Sequence, residues 1–533
     1  MSIRKYTPVL VIGAGLSGCT AALTLADRGI PVTLLAATDD EENANSWQAQ
    51  GGIIYRSVDT DDAEKLANDI MVAGHNHNNL AAVEHLCTKG PQSVEDILVQ
   101  RLKIPFDRHL SVSGKANSED WDLTREGGHS TPRILHCADH TGYSIMDYML
   151  QAVKENPAIT LLQGYSAIDL LTSHHHTTGM TYRYQLQNQC CGAYVLNEKN
   201  GAIETLLADY TVLATGGVGQ VYLHSTNALA AVGSGIAMAS RAFVRMENME
   251  YVQFHPTTFF QYDKPRFLIT EALRGEGALL VNASGGRFMA RYDSRAELAP
   301  RDIVSRAIVD EMLKTGELCV YLDARGVEHD LKERFPTIYT SCLERGVDIE
   351  NQPIPVVPAA HYFCGGVLTD IEGRTSLERL YCLGETACTG LHGANRLAST
   401  SLLEALLWGD SAARSIAQRV EGSGNTSPTK LFDSIKDWQH LGSEQNDDPA
   451  LIAQDWSTIR NTMWTYVGIT RTEPRLARAF DELRELSRQL HNFYKSTAMS
   501  KPIVDLFHGC QTAYLITQAA LRNTVSMGCH YRV

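Results

Sequence analysis

No apolar run in the sequence approaches the ~18 to 20 residues that a bilayer-crossing helix needs, so no membrane span is expected. The opening stretch MSIRKYTPVLVIGAG carries basic residues but reaches glycine after only five apolar residues. That is too short for a secretory signal, and a cytoplasmic location is expected. Cysteine is present at twelve positions, but no CxxC pair occurs and Cys190 and Cys191 are adjacent. The pattern speaks against a disulfide frame or a zinc site and reads as reduced, mostly buried thiols. An excess of positive charge is also missing. With 47 Lys and Arg against 61 Asp and Glu, the net charge of −14 argues against a general affinity for nucleic acid or anionic membrane. Residues 458–533 run the other way, with ten Lys/Arg against five Asp/Glu. A solvated helical face is preferred there over a patch for an acidic partner or subunit. His174, His175 and His176 stand in a polar stretch without Cys or carboxylate beside them, so an exposed loop is expected and no metal is assigned.

At 533 residues the chain is too long for one hydrophobic core, and two or three domains are expected. Residues 8 to 35 read strand, turn, helix, strand. The strand is Val9-Leu10-Val11-Ile12, the turn is Gly13-Ala14-Gly15-Leu16-Ser17-Gly18, and the helix is expected to end near Gly29 with a left-handed cap. The next strand is Val32 to Leu35. Two more strands run into glycine turns, at Tyr210–Thr215 and at Leu380–Leu383. All three glycine-ended strands can share one parallel-type sheet, with an insert between the second and third from near Phe254 to near Gly365. The stretch 421–428 is the clearest linker. Beyond it the pattern is helical: Leu483, Leu486 and Leu490 recur at spacings of three and four, with Arg484 and Arg488 on another face.

The turn Gly13 to Gly18 is a GxGxxG sequence in β-α-β context. Its glycines let the backbone approach a pyrophosphate, and the helix N-terminus offers free N–H groups to it. The acid that usually follows the second strand to hold a ribose is absent; Ala36-Ala37-Thr38 stands there, with Asp39 and Asp40 only later. The loop Asn45 to Ile53 ends in Gly51-Gly52 and could reach a flat ring. Four stretches of the insert carry polar residues beside Pro or Gly turns: Gln253–Thr257, Thr270–Gly277, Ala299–Asp302 and His361–Gly366. Together with His392–Ser399 they point to a shared anion site between domains. In TREGGHS, at 124–130, Glu126 either pairs with Arg125 on the surface or awaits a cationic ligand, since a buried carboxylate needs a partner.

TREGGHS, QFHPT, LITEALRGEGA, APRDIV, HYFCGG and GANRLASTSLLEAL, in this order, resemble the succinate dehydrogenase and fumarate reductase flavoprotein family, and within it the members that oxidise aspartate. The similarity runs from Val9 to the helical C-terminus. It implies an α/β fold: a Rossmann-like FAD-binding domain (1–253 and 365–421), an inserted α+β capping domain (254–364) and a C-terminal helical domain (429–533). It implies FAD, held by Gly13, Ala14, Gly15, Leu16, Ser17 and Gly18 at the pyrophosphate. Asn45, Ser46, Ala49, Gln50, Gly51, Gly52, Glu385, Ser401 and Leu402 would serve the ring, and Ser234, in place of the family's aspartate, a ribose hydroxyl. Asn45 stands where some members attach FAD through histidine, so a non-covalent flavin is implied. His255, Thr270, His361 and Arg396 match the dicarboxylate site, with Arg301 facing the reacting carbons and Glu271 as its relay partner.

Glu126 would then meet the substrate ammonium, because the succinate- and fumarate-specific relatives lack a glutamate in this loop. The implied reaction is FAD-dependent oxidation of L-aspartate to iminoaspartate, with re-oxidation by oxygen, giving hydrogen peroxide, or by fumarate, giving succinate. It is the first step of de novo NAD biosynthesis, functionally coupled to quinolinate synthase. A soluble fumarate reductase or succinate oxidase, and a non-catalytic flavoprotein subunit, are the alternatives. The tail Arg522–His530 departs from the family's arginine-rich ending.

Overall fold

The computed structural model describes residues 3–40, 42–57, 59–110, 116–261, 266–422, 429–439, 442 and 448–533. Most of the expected linker, 423–428, lies outside the described residues.

The strand expected at Val9–Ile12 extends back to Ile3, because its whole length pairs in parallel with Ala202–Leu213. It sits inside a seven-stranded sheet in the order Ile159–Gln163, Val32–Ala36, Ile3–Ile12, Ala202–Leu213, Cys190–Asn197, Tyr165–Thr172. The start of Ala202–Leu213 pairs antiparallel with Cys190–Asn197, and its end pairs in parallel with Leu380–Cys382. The three glycine-ended strands therefore share one sheet, with Ile12 opposite Leu213 and Leu213 opposite Cys382. Their turns open at the same carboxyl edge, the place where parallel sheets bind ligands.

The helix Leu16–Ala26 is buried along its whole length, between the sheet and the helix Thr400–Gly422. That is why CTAALTLA needs no polar face. It stops at Ala26, short of Gly29, whose φ of +73° belongs to the turn that follows.

The insert builds its own antiparallel sheet, in the order Phe267–Leu268, Val252–Phe259, Ile354–Phe363, Val320–Asp323, Leu279–Val281. The helix Arg301–Thr315 packs on it, Ser305 Oγ donating to Phe254 O at 3.0 Å. The outgoing and returning strands lie side by side, Val252 opposite Phe363, so the chain crosses into and out of the insert at one seam. The proposed boundaries at 254 and 364 fall inside the first of these strands and just past the second.

Three long helices, Pro449–Tyr466, Glu473–Ser496 and Lys501–Arg522, form the C-terminal unit. Leu483, Leu486 and Leu490 are buried, while Arg484 and Arg488 face solvent and pair with Asp481 and Glu485. The unit docks through Thr512 Oγ1, which donates to Gly233 O at 3.1 Å. The tail reaches two places at once. Arg306 Nη1 of the insert helix donates to Gly528 O at 3.1 Å, and Cys529 N donates to Ala394 O.

All twelve cysteines are buried, and none is in a disulfide. The histidine run is not a freely exposed loop. His175 is exposed, but His174 and His176 are half-buried, because the turn folds back so that Thr172 N donates to His176 Nδ1. Among the described residues no cluster of three or more His, Cys, Asp or Glu is arranged for a metal, and no helix is long and apolar enough to cross a membrane.

A Cβ at Gly18 would lie 1.9 Å from Gly13 O, a backbone atom that cannot step aside. Gly18→Ala is expected to destabilise the protein by about 1–3 kcal/mol or more, read as a lower melting temperature, and to weaken FAD retention.

Candidate active site

A cavity of about 730 Å³ runs from the glycine turn to the seam between the FAD-binding sheet and the insert. Gly13, Ala14, Gly15 and Ser17 line one part of it. Leu16 and Gly18 do not. Leu16 turns its side chain into the core, leaving its N–H to donate to Ser46 Oγ at 3.1 Å, and Gly18 is the spacer that lets helix and turn close up. Asn45, Ser46, Ala49, Gln50, Gly51, Gly52, Ser234, Glu385, Ser401 and Leu402 line the middle. Gln50 Oε1 is buried without a partner in this wall. A long cleft with a glycine turn at a helix N-terminus and an orphan acceptor fits a dinucleotide with a polar ring.

Glu385 is a half-buried carboxylate beside this stretch. Phe363 N donates to its Oε1 at 2.8 Å and Asn45 Nδ2 to its Oε2 at 3.0 Å, while Asn45 Oδ1 accepts from Ala228 N. Burial nevertheless pushes its pKa from 4.5 up to about 7.

The far end gathers Glu126, His255, Thr270, Glu271, Arg301, His361 and Arg396. They arrive from six segments. His255 lies on the outgoing strand of the insert and His361 on the returning one, their rings 5.0 Å apart. Irregularities in the ladder around His255 re-aim that strand. Thr270 caps the short helix Glu271–Gly275, accepting from Ala272 N. Arg301 opens its helix directly after Pro300, in extended backbone.

Arg301 Nε donates to Glu271 Oε2 at 2.5 Å, and Arg274 Nη2 lies 3.2 Å from the other Glu271 oxygen. Burial alone would raise the Glu271 pKa, but Arg301 and Arg274 outweigh it and hold it low. Gln253 ties the cations together: its Oε1 accepts from Arg301 Nη1 at 3.2 Å, and its Nε2 donates to Arg396 O at 2.8 Å. Arg396 lies over the Tyr362 ring at 4.5 Å, with Nη1 3.2 Å from Ser401 Oγ. Burial and then Arg301 lower its pKa to about 10. His255 and His361 are held well below the usual histidine range by burial and by Arg301. Both are neutral at neutral pH, and His361 Nδ1 is fixed by Thr226 Oγ1 at 2.8 Å.

Glu126 does not pair with Arg125 on the surface. Arg125 is exposed, while Glu126 is buried and lines the cavity, accepting from Ser399 Oγ at 2.6 Å. Burial raises its pKa, and the Ser399 bond and Arg301 offset this only in part. The glycines beside it have a spatial reason: a Cβ at Gly127 would sit 2.5 Å from Glu271 Oε1, and one at Gly51 would sit 2.6 Å from Glu126 Oε1. The loop is pinned from behind. Buried Arg133 donates to Asp62 at 2.8 Å and Asp69 at 2.7 Å, and also to His129 Nδ1, while His129 Nε2 donates to Ala398 O.

Sequence reasoning missed Thr226, Gln253, Arg274, Arg133 and Ser399 as parts of this site. Gln253, Arg274 and Ser399 stand inside the stretches quoted above and were passed over for their charged or aromatic neighbours; Thr226 and Arg133 carry no local signal.

Fold and cavity define an FAD-binding flavoprotein of the succinate dehydrogenase and fumarate reductase class. Family models for an FAD binding domain and for a fumarate reductase flavoprotein C-terminal region match residues 8–402 and 456–533. E. coli quinol fumarate reductase, in a variant form, is 27% identical, with a TM-score of 0.85 over 100% of this chain and 92% of its own. The L-aspartate oxidase of Pseudomonas aeruginosa is 42% identical over 100% of this chain and 96% of its own. L-aspartate oxidase 1 of Ralstonia nicotianae is 43% identical over 98% and 94%. Within that class, the chain belongs to the L-aspartate oxidase family.

An acid whose pKa is raised by folding holds more protons folded than unfolded, so stability falls as pH rises through that window. From the Glu385 shift, the FAD-free protein should lose on the order of 3 kcal/mol between pH 4.5 and about 7. Chemical denaturation across this range is expected to show the slope in the wild type and a flatter profile in Glu385→Gln.

Proposed function

We infer that this chain oxidises L-aspartate to iminoaspartate with bound FAD, as the first step of de novo NAD biosynthesis. The observation that carries this reading is the placing of buried Glu126 at the rim of a cation-rich pocket. Arg396 and Arg301, with neutral His255 and His361 and the Thr270 hydroxyl, suit two carboxylates. A guanidinium can grip a carboxylate through two parallel bonds. Glu126 suits the one feature that separates aspartate from succinate, its ammonium. The insert supplies His255, Thr270, Arg301 and His361 to the pocket wall, and its role is to keep water from the reacting carbon.

FAD, when bound, supplies the hydride acceptor and passes the electrons to oxygen, giving hydrogen peroxide, or to fumarate, giving succinate. The chain's own task is position and protons. The Cα hydrogen leaves as hydride while the ammonium gives up one proton, which leaves a protonated imine. The Arg301–Glu271 pair is read as the proton route, with Arg301 facing the reacting carbons and Glu271 as its relay partner. Asn45 leaves no histidine for a covalent flavin bond at its position, so the FAD is read as non-covalent. Quinolinate synthase, in the cytoplasm, is the proposed consumer of the imine.

Anaerobic addition of aspartate should bleach the yellow protein, and in air aspartate should yield peroxide while succinate does not. Absence of bleaching would reject the reading. Glu126→Gln is expected to cut kcat/KM for aspartate by roughly 10- to 100-fold while leaving fumarate reduction within ~3-fold, for one charge-assisted bond lost. Equal losses would favour a fumarate reductase.

Glu126 must be ionised to meet the ammonium, so aspartate turnover should fail as pH falls through its raised pKa. Ser399→Ala removes the bond that lowers this pKa and should move the acid limb of the kcat/KM profile to higher pH.

A further inference from the structure

The adenosine end of the cavity has an acid, but not from the usual strand. A dinucleotide site typically holds its ribose with a carboxylate after the second strand. Here Val32–Ala36 is followed by Ala37 and Thr38, and the two acids beyond them are exposed. Asp39 Oδ1 lies 3.2 Å from Lys199 Nζ. Asp40 touches the cavity rim but is exposed, its Oδ1 accepting from Glu42 N at 3.0 Å.

The same end is lined by Thr38, Gln163, Tyr165 and Ser166, and by two residues from a distant part of the chain, Lys501 and Asp505. They come from the start of the helix Lys501–Arg522 in the C-terminal unit. Lys501 Nζ is 3.1 Å from Asp505 Oδ2 and donates to Ser166 Oγ at 3.4 Å, while Ser166 Oγ donates to Glu198 Oε1 at 2.6 Å. The Asp505 side chain keeps 21% of its exposure. Burial raises its pKa despite the adjacent ammonium. An ion pair set into a cavity wall is costly to desolvate unless further polar groups complete its bonding.

We propose that Asp505 accepts a hydrogen bond from a donor on the adenosine half of bound FAD, a ribose hydroxyl or the adenine amine, with Lys501 holding its carboxylate in place. Lys501 also offsets the repulsion between this carboxylate and the diphosphate. The helical C-terminal unit is thereby part of the cofactor site, and FAD binding and the docking of that unit reinforce each other. The proposal rests on the cavity taking FAD, and its test separates the two.

The full-length chain, stripped of flavin, is titrated with FAD and with FMN, which lacks the adenosine half, and binding is followed by flavin fluorescence and by the rise in melting temperature. Asp505→Asn is expected to weaken FAD by roughly 10-fold or more and to leave FMN within ~2-fold, with a smaller FAD-induced rise in melting temperature. Asp39→Asn, outside the cavity lining, should bind both as the wild type does. Unchanged FAD affinity in Asp505→Asn, or an equal loss of FAD and FMN, overturns the proposal. A wild type that takes up no FAD fails the underlying reading instead. Should Asp505→Asn not fold, Asp505→Ser carries the same comparison.

Discussion

Three guanidinium groups are held out of water around one small volume, with too little negative charge to balance them. Arg274, Arg301 and Arg396 are all buried, and Glu271 serves the first two. Arg396 has an aromatic face and a hydroxyl instead of a carboxylate, its Nε has no partner, and its pKa is pulled down to about 10. Buried charge of this kind is expensive unless something completes it. Burial, and after it the same cations, keep the two histidines neutral and thus available as hydrogen-bonding groups. An anionic ligand supplies what the pocket lacks. The preference for a diacid follows from this imbalance, whatever its third substituent.

Holding such a cluster together falls to the fold. Arg301 and His255 belong to the insert, Arg396 to the loop after it, and Glu126 to a loop of the FAD-binding part. The side-by-side strands Val252–Phe259 and Ile354–Phe363 fix the register between these pieces, and Gln253 bonds to both Arg301 and the Arg396 backbone across the seam. Glu126 depends on a different support. Arg133 and its two aspartates hold the loop from behind, and Ser399 meets the carboxylate from the front. Close passage of the backbones is possible because Gly51 and Gly127 lack a Cβ.

Some of this could be read from local order along the chain. A glycine turn between a strand and a helix carries its own geometry, since turn type and helix start depend on residues that are neighbours in sequence. The three strands Val9–Ile12, Tyr210–Leu213 and Leu380–Cys382 were legible as strands, and their place in one sheet followed from their glycine ends. The extension of the first strand to Ile3 was not, because polar Arg4, Lys5 and Thr7 become a strand only by pairing with Ala202–Leu213. Leu16 and Gly18 belong to the turn motif, yet their side of the backbone faces the core, a distinction that the motif alone does not carry.

The sequence by itself determined the inventory: a glycine turn able to take a diphosphate, an insert rich in His and Arg beside rigid turns, and a glutamate flanked by glycines. Those features are encoded by residue type and short spacing. Only the tertiary structure decided which of them meet. It turned Glu126 inward and left Arg125 outside, joined Arg301 to Glu271, set Thr226 against His361, and brought Lys501 and Asp505 to the other end of the cavity. The reason is that burial and pairing arise between residues hundreds of positions apart, and the charge state of each group depends on neighbours that the chain brings near only when it folds.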